Sequence, residues 1–287
     1  MKEDEPMKQA PNISAQRVAS GNEYCQRARA AKLRYKRLLS NCYLVPAKAQ
    51  ELADKQRLYY VESRDAGAFL IEEPGVYRCL YFADADGTPD LMLKPFRAPM
   101  VIDELCFRGH DVPHAAQELF ARSGFRFLRE NICLERTTLS EAQITRFSAV
   151  FERAAYAQPG DIDGISALLE RTFDPYADRL PWRDELADLI EEKHVYVIRE
   201  KGEPMACVVA VPHGSARENH WVAVDGMHRG IGFGSGLFAF ADIDAFKRGC
   251  KRTVAWVDSR NKRWIDRLRK DDFSLSGKAL KTYLLEA

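Results

Sequence analysis

Apolar and polar positions along the chain alternate in two successive series of helix and strand patterns. The first series opens with a helical pattern over residues 14–39 and a shorter helix that begins at Pro46. Turn-forming residues then separate apolar segments that predict strands at 58–63, 68–72, 76–83 and 100–107. A helical stretch at 113–122 and a strand at 127–136 close the series. This part of the chain therefore predicts a sheet flanked by helices.

A second series follows a polar connector at about 138–153. It predicts a strand at 151–157, helices at 159–173 and 181–191, and strands at 195–199, 205–211 and 219–224. A long helix with the apolar residues Leu237, Phe240, Ile243 and Phe246 precedes a strand at 253–257, a helix capped by Asn261 and a closing strand at 282–285. The two series carry matching helix ends, Phe120-x-x-x-Gly124-Phe125 and Leu268-x-x-x-Asp272-Phe273. The chain therefore predicts two copies of one unit.

Length and composition fit an ordinary globular protein with two domains. The chain has 287 residues, of which 46% are apolar and 30% charged. A net charge of +1 gives no general case for binding nucleic acid or membranes, and neither a signal peptide nor a spanning segment is expected. Seven cysteines without a C-x-x-C pair indicate reduced thiols in a cytoplasm, and no His/Cys cluster has metal-ligand spacing. The basic run at 27–37 leaves open a nucleic-acid surface or an ordinary solvated helix face.

The glycine-rich segment between Val222 and Leu237 is the clearest candidate for chemistry. An apolar strand runs into Arg229 and a loop with glycines at 230, 232, 234 and 236, and a periodic helix follows. Glycine allows a positive φ and close approach of a ligand, while a helix N-terminus offers free N–H groups to an anion. The segment therefore predicts a pyrophosphate cradle. Neither a Walker loop, which needs Gly-Lys-Ser/Thr, nor the dinucleotide pattern G-x-G-x-x-G fits its spacing.

Arg229, Gly232 and Gly234 form the pattern Arg-x-x-Gly-x-Gly, and in this the chain resembles the GNAT acyl-CoA N-acyltransferase family. The resemblance implies an α/β (mixed α+β) fold of two tandem GNAT-like units, each a central mixed, mostly antiparallel sheet flanked by helices. We expect a flexible tail at 1–12, a degenerate GNAT-like domain without the cofactor loop at 13–140, and an acetyltransferase domain at 141–287. Sixteen residues with three prolines separate residue 83 from residue 100, too few for a loop and a cofactor helix.

The resemblance also implies acetyl-CoA, or another acyl-CoA, as co-substrate, and no metal. The loop and the following helix would hold the pyrophosphate. The edge of the preceding strand would face the pantetheine arm, where the family's two parallel strands splay apart. For Asn261, helix capping alone is the alternative role. The expected cofactor-binding residues are Val222, Val224, Arg229, Gly230, Ile231, Gly232, Phe233, Gly234, Ser235 and Asn261.

Acyl transfer to an amine needs a base for the amine proton and a donor for the developing oxyanion. The backbone N–H of Val224 is the candidate oxyanion donor. Glu218 and His220 are the candidate bases, because strand alternation places them on the same face as Val222 and Val224. The resemblance favours Glu218, whereas imidazole in general titrates nearer neutral pH. The alternative is that both are solvent-facing polar side chains.

The chain departs from the family pattern at two positions. Leu268 stands where many relatives carry a tyrosine that can protonate the departing thiolate, and Asp272 replaces a glycine. Leucine cannot donate a proton, so Tyr283, solvent or a substrate group is left as the acid.

These residues predict a cytoplasmic N-acetyltransferase that moves an acetyl group from acetyl-CoA to a primary amine by direct attack in the C-terminal domain. The acceptor is expected to be a small molecule, with no membrane or nucleic-acid partner, and a homodimer stays open. The alternatives are a non-catalytic acyl-CoA-binding sensor and a mycothiol-synthase-like acyltransferase. A largely acidic set of residues would suit a cationic amine: Asp174, Asp178, Arg179, Asp184 and Glu185.

Overall fold

The chain folds into two compact units. The computed structural model describes residues 15–63, 65–87, 89–91, 93, 98–107, 110–137 and 152–286. The first unit takes residues 1–129 together with 281–287, and the second takes 130–280. The last residues, which the sequence places in the C-terminal domain, thus belong to the first unit. The tail predicted at 1–12 and the boundary predicted between 140 and 141 lie outside the described residues.

Helices and short strands alternate at the start of the first unit. Its described elements are β1 (Gln16–Arg17), α1 (Gly21–Arg34), β2 (Leu38–Ser40), α2 (Pro46–Asp54), β3 (Leu58–Glu62), β4 (Ala66–Glu73), β5 (Val76–Asp84), β6 (Met100–Phe107) and α3 (His114–Ser123). Helix α1 is shorter than the predicted 14–39, because Ser20 caps it: its Oγ accepts the Glu23 N–H at 3.1 Å. Residues at both ends of the predicted helix instead form β1 and β2.

The sheet of the first unit is mixed. Its strands lie in the order β1-β3-β4-β5-β6, and β2 also pairs with β5. All these pairs are antiparallel except β5 and β6, where Tyr77 and Arg78 lie beside Met100 and Val101 in parallel register. Helices α1 and α2 cover one side through a core that includes Tyr24, Leu52 and Phe69.

The second unit also has a mixed sheet flanked by helices. Its described elements are β7 (Arg126–Arg136), β8 (Ala154–Tyr156), α4 (Ile162–Glu170), α5 (Arg183–Glu191), β9 (Val195–Glu200), β10 (Glu203–His213), β11 (Ala216–Val224), α6 (Phe233–Lys247), β12 (Arg252–Asp258), α7 (Lys262–Lys270) and β13 (Ser274–Leu285). Strand β7 belongs to this unit from Glu130 onward, and β13 belongs to it as far as Leu280. The strands follow the order β7-β12-β11-β10-β9-β8, and β11 and β12 form the parallel pair. The predicted mixed α/β class, with mostly antiparallel sheets flanked by helices, is confirmed.

Two helices, one in each unit, end in the same way. Helix α3 ends at Gly124, with φ of 90°, and the Phe125 N–H donates to the Phe120 carbonyl at 2.8 Å. Helix α7 is followed by Asp272, with φ of 65°, and the Phe273 N–H donates to the Leu268 carbonyl at 3.1 Å. This left-handed helix end is a position that favours glycine. The sequence match between the two helix ends is therefore also a match in backbone conformation.

Two carboxylates, the buried Asp242 and the partly exposed Asp244, hold helix α6 on the sheet of the second unit. Asp242 forms an ion pair with Arg136 of β7 and accepts a hydrogen bond from the Asn219 side chain at 2.8 Å. Asp244 accepts bonds from groups on three strands, the Tyr156 hydroxyl at 2.7 Å, the Tyr196 hydroxyl at 2.6 Å and Arg217 Nη1 at 3.2 Å. A buried charge destabilises the fold when its partners are removed, so the helix is favoured in the position where these bonds form. These bonds therefore hold the C-terminal half of α6 on the sheet.

Candidate functional site

The loop before α6 has the backbone conformation of an anion cradle. Gly230 and Gly232 have φ of 87° and 95°, which other residues rarely adopt. Gly232 is the N-cap of α6 and has no side chain to cap the helix. The first bond inside the helix joins the Gly236 N–H to the Gly232 carbonyl at 2.9 Å. The N–H groups of residues 233–235 therefore have no partner in the preceding turn and can bind a ligand.

Gly234 serves a different purpose from the other two glycines. A Cβ at Gly234 would lie 3.1 Å from Val224 Cγ2 and 3.9 Å from Val222 Cγ1, whereas one at Gly230 or Gly232 meets nothing within 4 Å. That Gly234 also makes room for a ligand stays a prediction, whereas its packing role follows from these distances. This glycine lets the first turn of α6 pack closely on strand β11.

Several side chains of the cradle are held by neighbours. Arg229 Nε donates to the Val224 carbonyl at 3.2 Å, and Ser235 Oγ accepts from Arg267 Nε at 3.3 Å. Phe233 is buried, while Ile231 is 60% exposed. The backbone, rather than a side chain, thus offers the donors at this loop, and Arg229 adds positive charge beside them.

Strand β11 has an open edge next to the cradle. The parallel register with β12 joins residues 216–218 to 252–254, although the described strands continue to Val224 and Asp258. The Asp225 N–H donates to the Met205 carbonyl of β10 at 2.9 Å, so strand alternation turns the Val224 N–H to the other side, toward β12. The splaying that the family resemblance implies is present, and it exposes backbone groups of β11.

A β-bulge interrupts β11 between the two parts of the candidate site. Val209 pairs with Trp221 and Ala210 pairs with Asn219, so His220 is the extra residue. After the bulge, Val222 and Val224 pack on the α6 side of the sheet.

Before the bulge the alternation is reversed. Arg217 and Asn219 bind the carboxylates of α6, so Glu218 points to the other side, which Trp221 and Ala223 share with α4 and α5. The prediction that Glu218 and Val222 share a face is therefore wrong, because the extra residue shifts the side-chain alternation.

Glu218 binds two imidazoles, one on each carboxylate oxygen. Oε1 accepts from His220 Nδ1, and Oε2 lies 3.3 Å from Nε2 of His213 on β10. The carboxylate is buried, whereas the side chains of His220 and His213 are 32% and 58% exposed. Burial opposes the charge of Glu218, but the two imidazoles outweigh it and lower its pKa to about 2. Glu218 is therefore ionised at neutral pH, and an imidazole is the better proton acceptor.

His213 is the site residue that the sequence analysis missed. It closes the β10–β11 hairpin, where it lies opposite Ala216, with Gly214 in the turn at φ of 59°. The signal was available, because Gly214-Ser215 between two strand patterns predicts a hairpin that brings residues 213 and 218 to one end.

The other predicted residues lie apart from the bulge. Asn261 Oδ1 accepts the Trp264 N–H at 3.2 Å, so the predicted cap of α7 is confirmed. Leu268 is 1% exposed within the core of the second unit. Tyr283 belongs to the first unit, with its ring 4.8 Å from that of Phe120, and burial raises its pKa. The structure does not bring Tyr283 and Glu218 together within one unit.

The acidic set proposed for the acceptor is used in the loop between α4 and α5. Asp174 Oδ1 accepts the Tyr176 N–H at 2.8 Å, and Asp178 accepts the Asp174 N–H at 3.1 Å. Glu185 accepts the Trp182 N–H at 3.1 Å and also binds Arg179. These carboxylates stabilise the loop, which weakens the argument for a cationic acceptor.

The basic run at 27–37 contains arginines with acidic partners. Arg27 binds Glu23 at 2.8 Å, and Arg34 binds Glu62 of β3. Ion pairs of this kind are typical of a solvated helix face.

Searches for a metal site and for a membrane span found none in the described part of the chain. No group of three or more His, Cys, Asp or Glu residues there could hold a metal ion. None of the helices described is long and apolar enough to span a membrane.

Comparison with known proteins identifies the domain that carries the cradle. Residues 162–270 match the model of the acetyltransferase (GNAT) family, so the chain contains a domain of this family. The family normally uses acetyl-CoA and needs no metal. No curated protein gave a significant match.

Solved structures share the fold at low sequence identity. A GCN5-related N-acetyltransferase from Sphaerobacter thermophilus aligns with a TM-score of 0.50 and 14% identity, covering 97% of each chain. An acetyltransferase of the GNAT family from Colwellia psychrerythraea aligns with a TM-score of 0.51 and 10% identity, covering 95% of this chain and 100% of its own.

A third structure is a glucosamine N-acetyltransferase region of a fungal multi-domain GH3 β-N-acetylglucosaminidase. It gives a TM-score of 0.55 and 14% identity over 80% of this chain, which spans only 33% of that protein. At these identities the likeness concerns the fold.

Proposed function

We propose that this protein is an N-acetyltransferase that moves an acetyl group from acetyl-CoA to the primary amine of a small molecule. The observation that carries the proposal is the open edge of β11 directly beside the N-terminus of α6. That combination offers an anion cradle and an unpaired strand edge to one extended ligand. The family match over residues 162–270 supports an acyl-CoA as that ligand.

The backbone of the second unit supplies the binding groups. The pyrophosphate would accept from the N–H groups of residues 230–235, with Arg229 adding charge. The pantetheine amides would bond to the free edge of β11 at Val222 and Val224. The Val224 N–H, which points toward β12, would donate to the oxyanion as the thioester carbon becomes tetrahedral.

His220 is the proposed base, and Glu218 holds it in place. The acceptor ammonium gives its proton to His220 Nε2, because Nδ1 is already bound to the Glu218 carboxylate. The neutral amine nitrogen then attacks the thioester carbon and gives a tetrahedral intermediate, which loses the second nitrogen proton to solvent and collapses to the amide as the C–S bond breaks. The departing thiolate takes a proton from solvent, because Tyr283, the acid that the sequence suggested, belongs to the first unit.

The first unit is proposed to be a degenerate copy without a cofactor site. Strand β5 ends at Asp84 and β6 begins at Met100, so 15 residues separate them, the length of α6 alone. The segment cannot hold both a glycine loop and such a helix. The shared strand pairing and the shared helix ends support a common origin of the two units.

Release of CoA thiol with a panel of primary amines tests the activity. We expect steady release that depends on one or a few amines and falls at least tenfold in His220→Gln. His114→Gln is a matched control, because this histidine is 86% exposed on α3 of the first unit. Release that is equal in wild-type protein and in His220→Gln would contradict the proposed base.

A non-catalytic acyl-CoA sensor is the second candidate. It is favoured by Leu268, which fills the core where relatives carry a proton-donating tyrosine. A sensor would bind acetyl-CoA without turnover on any amine of the panel.

A further inference from the structure

The two units place a charged pair at the same hairpin position. In the first unit Glu73 and Val76 close the β4–β5 hairpin, and in the second His213 and Ala216 close the β10–β11 hairpin. Arg78 and Glu218 each lie two residues further along the second strand. Each binds the closing residue of the first strand, Arg78 to Glu73 at 2.9 Å and Glu218 to His213 at 3.3 Å.

The pairs differ in whether a proton can be exchanged. In the first unit the Arg78 guanidinium binds both Glu73 and Asp103, and all three side chains are at most 8% exposed. A guanidinium does not lose its proton in proteins, so this cluster has a fixed charge. In the second unit the central group is a carboxylate and its two partners are imidazoles, which gain and lose protons near neutral pH. At the same hairpin position, the first unit thus has a cluster of fixed charge around Arg78, and the second unit has a cluster around Glu218 that can exchange protons.

We propose that His213 is a positioning residue that sets how tightly His220 holds its proton, acting through the carboxylate they share. The kinetic part of this inference rests on the proposed acetyl transfer with His220 as base. The geometric part, two imidazoles on the two oxygens of Glu218, is independent of it.

Electrostatics gives the direction of the effect. Because both imidazoles bind the Glu218 carboxylate, a positive charge on His213 repels a second positive charge on His220. Glu218 also raises the pKa of His213, which is exposed enough to exchange its proton with water. Protonation or deprotonation of His213 therefore changes how tightly His220 holds a proton.

Other titratable groups near this carboxylate lie on neighbouring strands. Cys133 and Glu135 are on β7 and Lys278 is on β13, and the charges of Glu135, Lys278 and Glu218 all act on the Cys133 thiol. Glu135 forms an ion pair with Arg252 at 3.1 Å, so its charge is largely offset. The remaining neighbour on β12, Val254, is apolar. His213 and His220 are accordingly the groups that contact Glu218 directly.

Two substitutions at His213 should shift the pH dependence in opposite directions. His213→Gln removes the positive charge on His213, so the acidic limb of kcat/KM should move to higher pH by about half a unit to one unit. His213→Arg makes the charge permanent, as Arg78 is in the first unit, so the limb should move to lower pH. His114→Gln, on an exposed helix of the first unit, should leave the limb in place.

A purely structural role predicts a different pattern. Both substitutions would then lower stability or rate without moving the limb, and an unmoved limb in folded His213→Gln and His213→Arg would overturn the proposal. Titration of the His220 ring protons by NMR in the protein without ligand gives a second readout. Its midpoint should move in the same opposite directions, and an unchanged midpoint would refute the coupling.

The NMR titration needs no turnover, so the two proposals can fail separately. A shifted midpoint in a protein that releases no CoA thiol would refute the proposed acetyl transfer and leave the coupling standing. Turnover with an unshifted His220 midpoint would refute the coupling between the two histidines and leave the proposed acetyl transfer standing.

Discussion

Replacement of Gly234 by valine tests how the cradle is built. The new Cβ would meet Val224 Cγ2 at 3.1 Å, and the two methyl groups of valine would extend further into the packed contact between α6 and β11. The C-terminal half of α6 cannot follow, because Asp242 and Asp244 hold it to the sheet. The first turn must therefore tilt away from β11, and its free N–H groups turn with it.

The size of the effect follows from the cost of overpacking. Inserting carbons into a close contact costs about 1–3 kcal/mol. If that strain is relieved only when the first turn leaves its binding position, the affinity for acetyl-CoA falls by between about fivefold and about 150-fold. Gly234→Ala, whose single carbon requires a shift of a few tenths of an ångström, should give a smaller loss in the same direction.

Isothermal titration with acetyl-CoA measures the loss of affinity, and a thermal melt measures the loss of stability. Gly160→Ala is the matched control, because a Cβ there meets nothing within 4 Å and the residue lies outside the cradle. It should keep wild-type affinity and stability. A folded Gly234→Val protein that binds acetyl-CoA as tightly as wild type would refute the packing argument and remove the first turn of α6 from the cradle.

Three further predictions concern stability and the leaving group. Asp244→Asn leaves the buried Arg217 without its carboxylate partner. In urea titrations this change should lower the free energy of unfolding by about 3–5 kcal/mol, and a loss below about 1 kcal/mol would contradict the role of this ion pair. Burial and the charge of Arg217 lower the pKa of His194 from 6.5 to about 4. Between pH 6.5 and about pH 4 the unfolded chain therefore binds more protons than the folded protein, and the free energy of unfolding should fall as the pH falls through this range. His194→Gln should flatten that fall in unfolding measured from pH 7 to pH 4, and an unchanged slope would show that other groups cause it. Tyr283→Phe should change kcat less than threefold if solvent protonates the thiolate, whereas a loss of about a hundredfold would assign the acid to Tyr283.

Local patterns were sufficient to predict most elements and the cradle. The strand–glycine–helix order around Arg229 predicted the loop, and Asn261 predicted the start of α7, because both depend on residues close in sequence. The left-handed conformation at Gly232 likewise follows from local steric rules.

The errors come from effects that depend on tertiary contacts. The bulge at His220 reverses the side-chain alternation of β11, and no local pattern marks which residue is extra. The assignment of residues 281–287 to the first unit depends on long-range strand pairing. The packing role of Gly234 was not predicted, because it depends on the distance between α6 and Val224, which only the packed structure provides.

The stoichiometry of acetyl-CoA binding tests the central claim most directly. The second unit has the glycine loop, the uncapped helix N-terminus and the open strand edge, whereas the interval between β5 and β6 is too short for them. Isothermal titration of the full chain should therefore give one site per chain, with weakened affinity in Gly234→Val and wild-type affinity in Gly160→Ala. Two equivalent sites per chain, or no binding at all, would contradict the account.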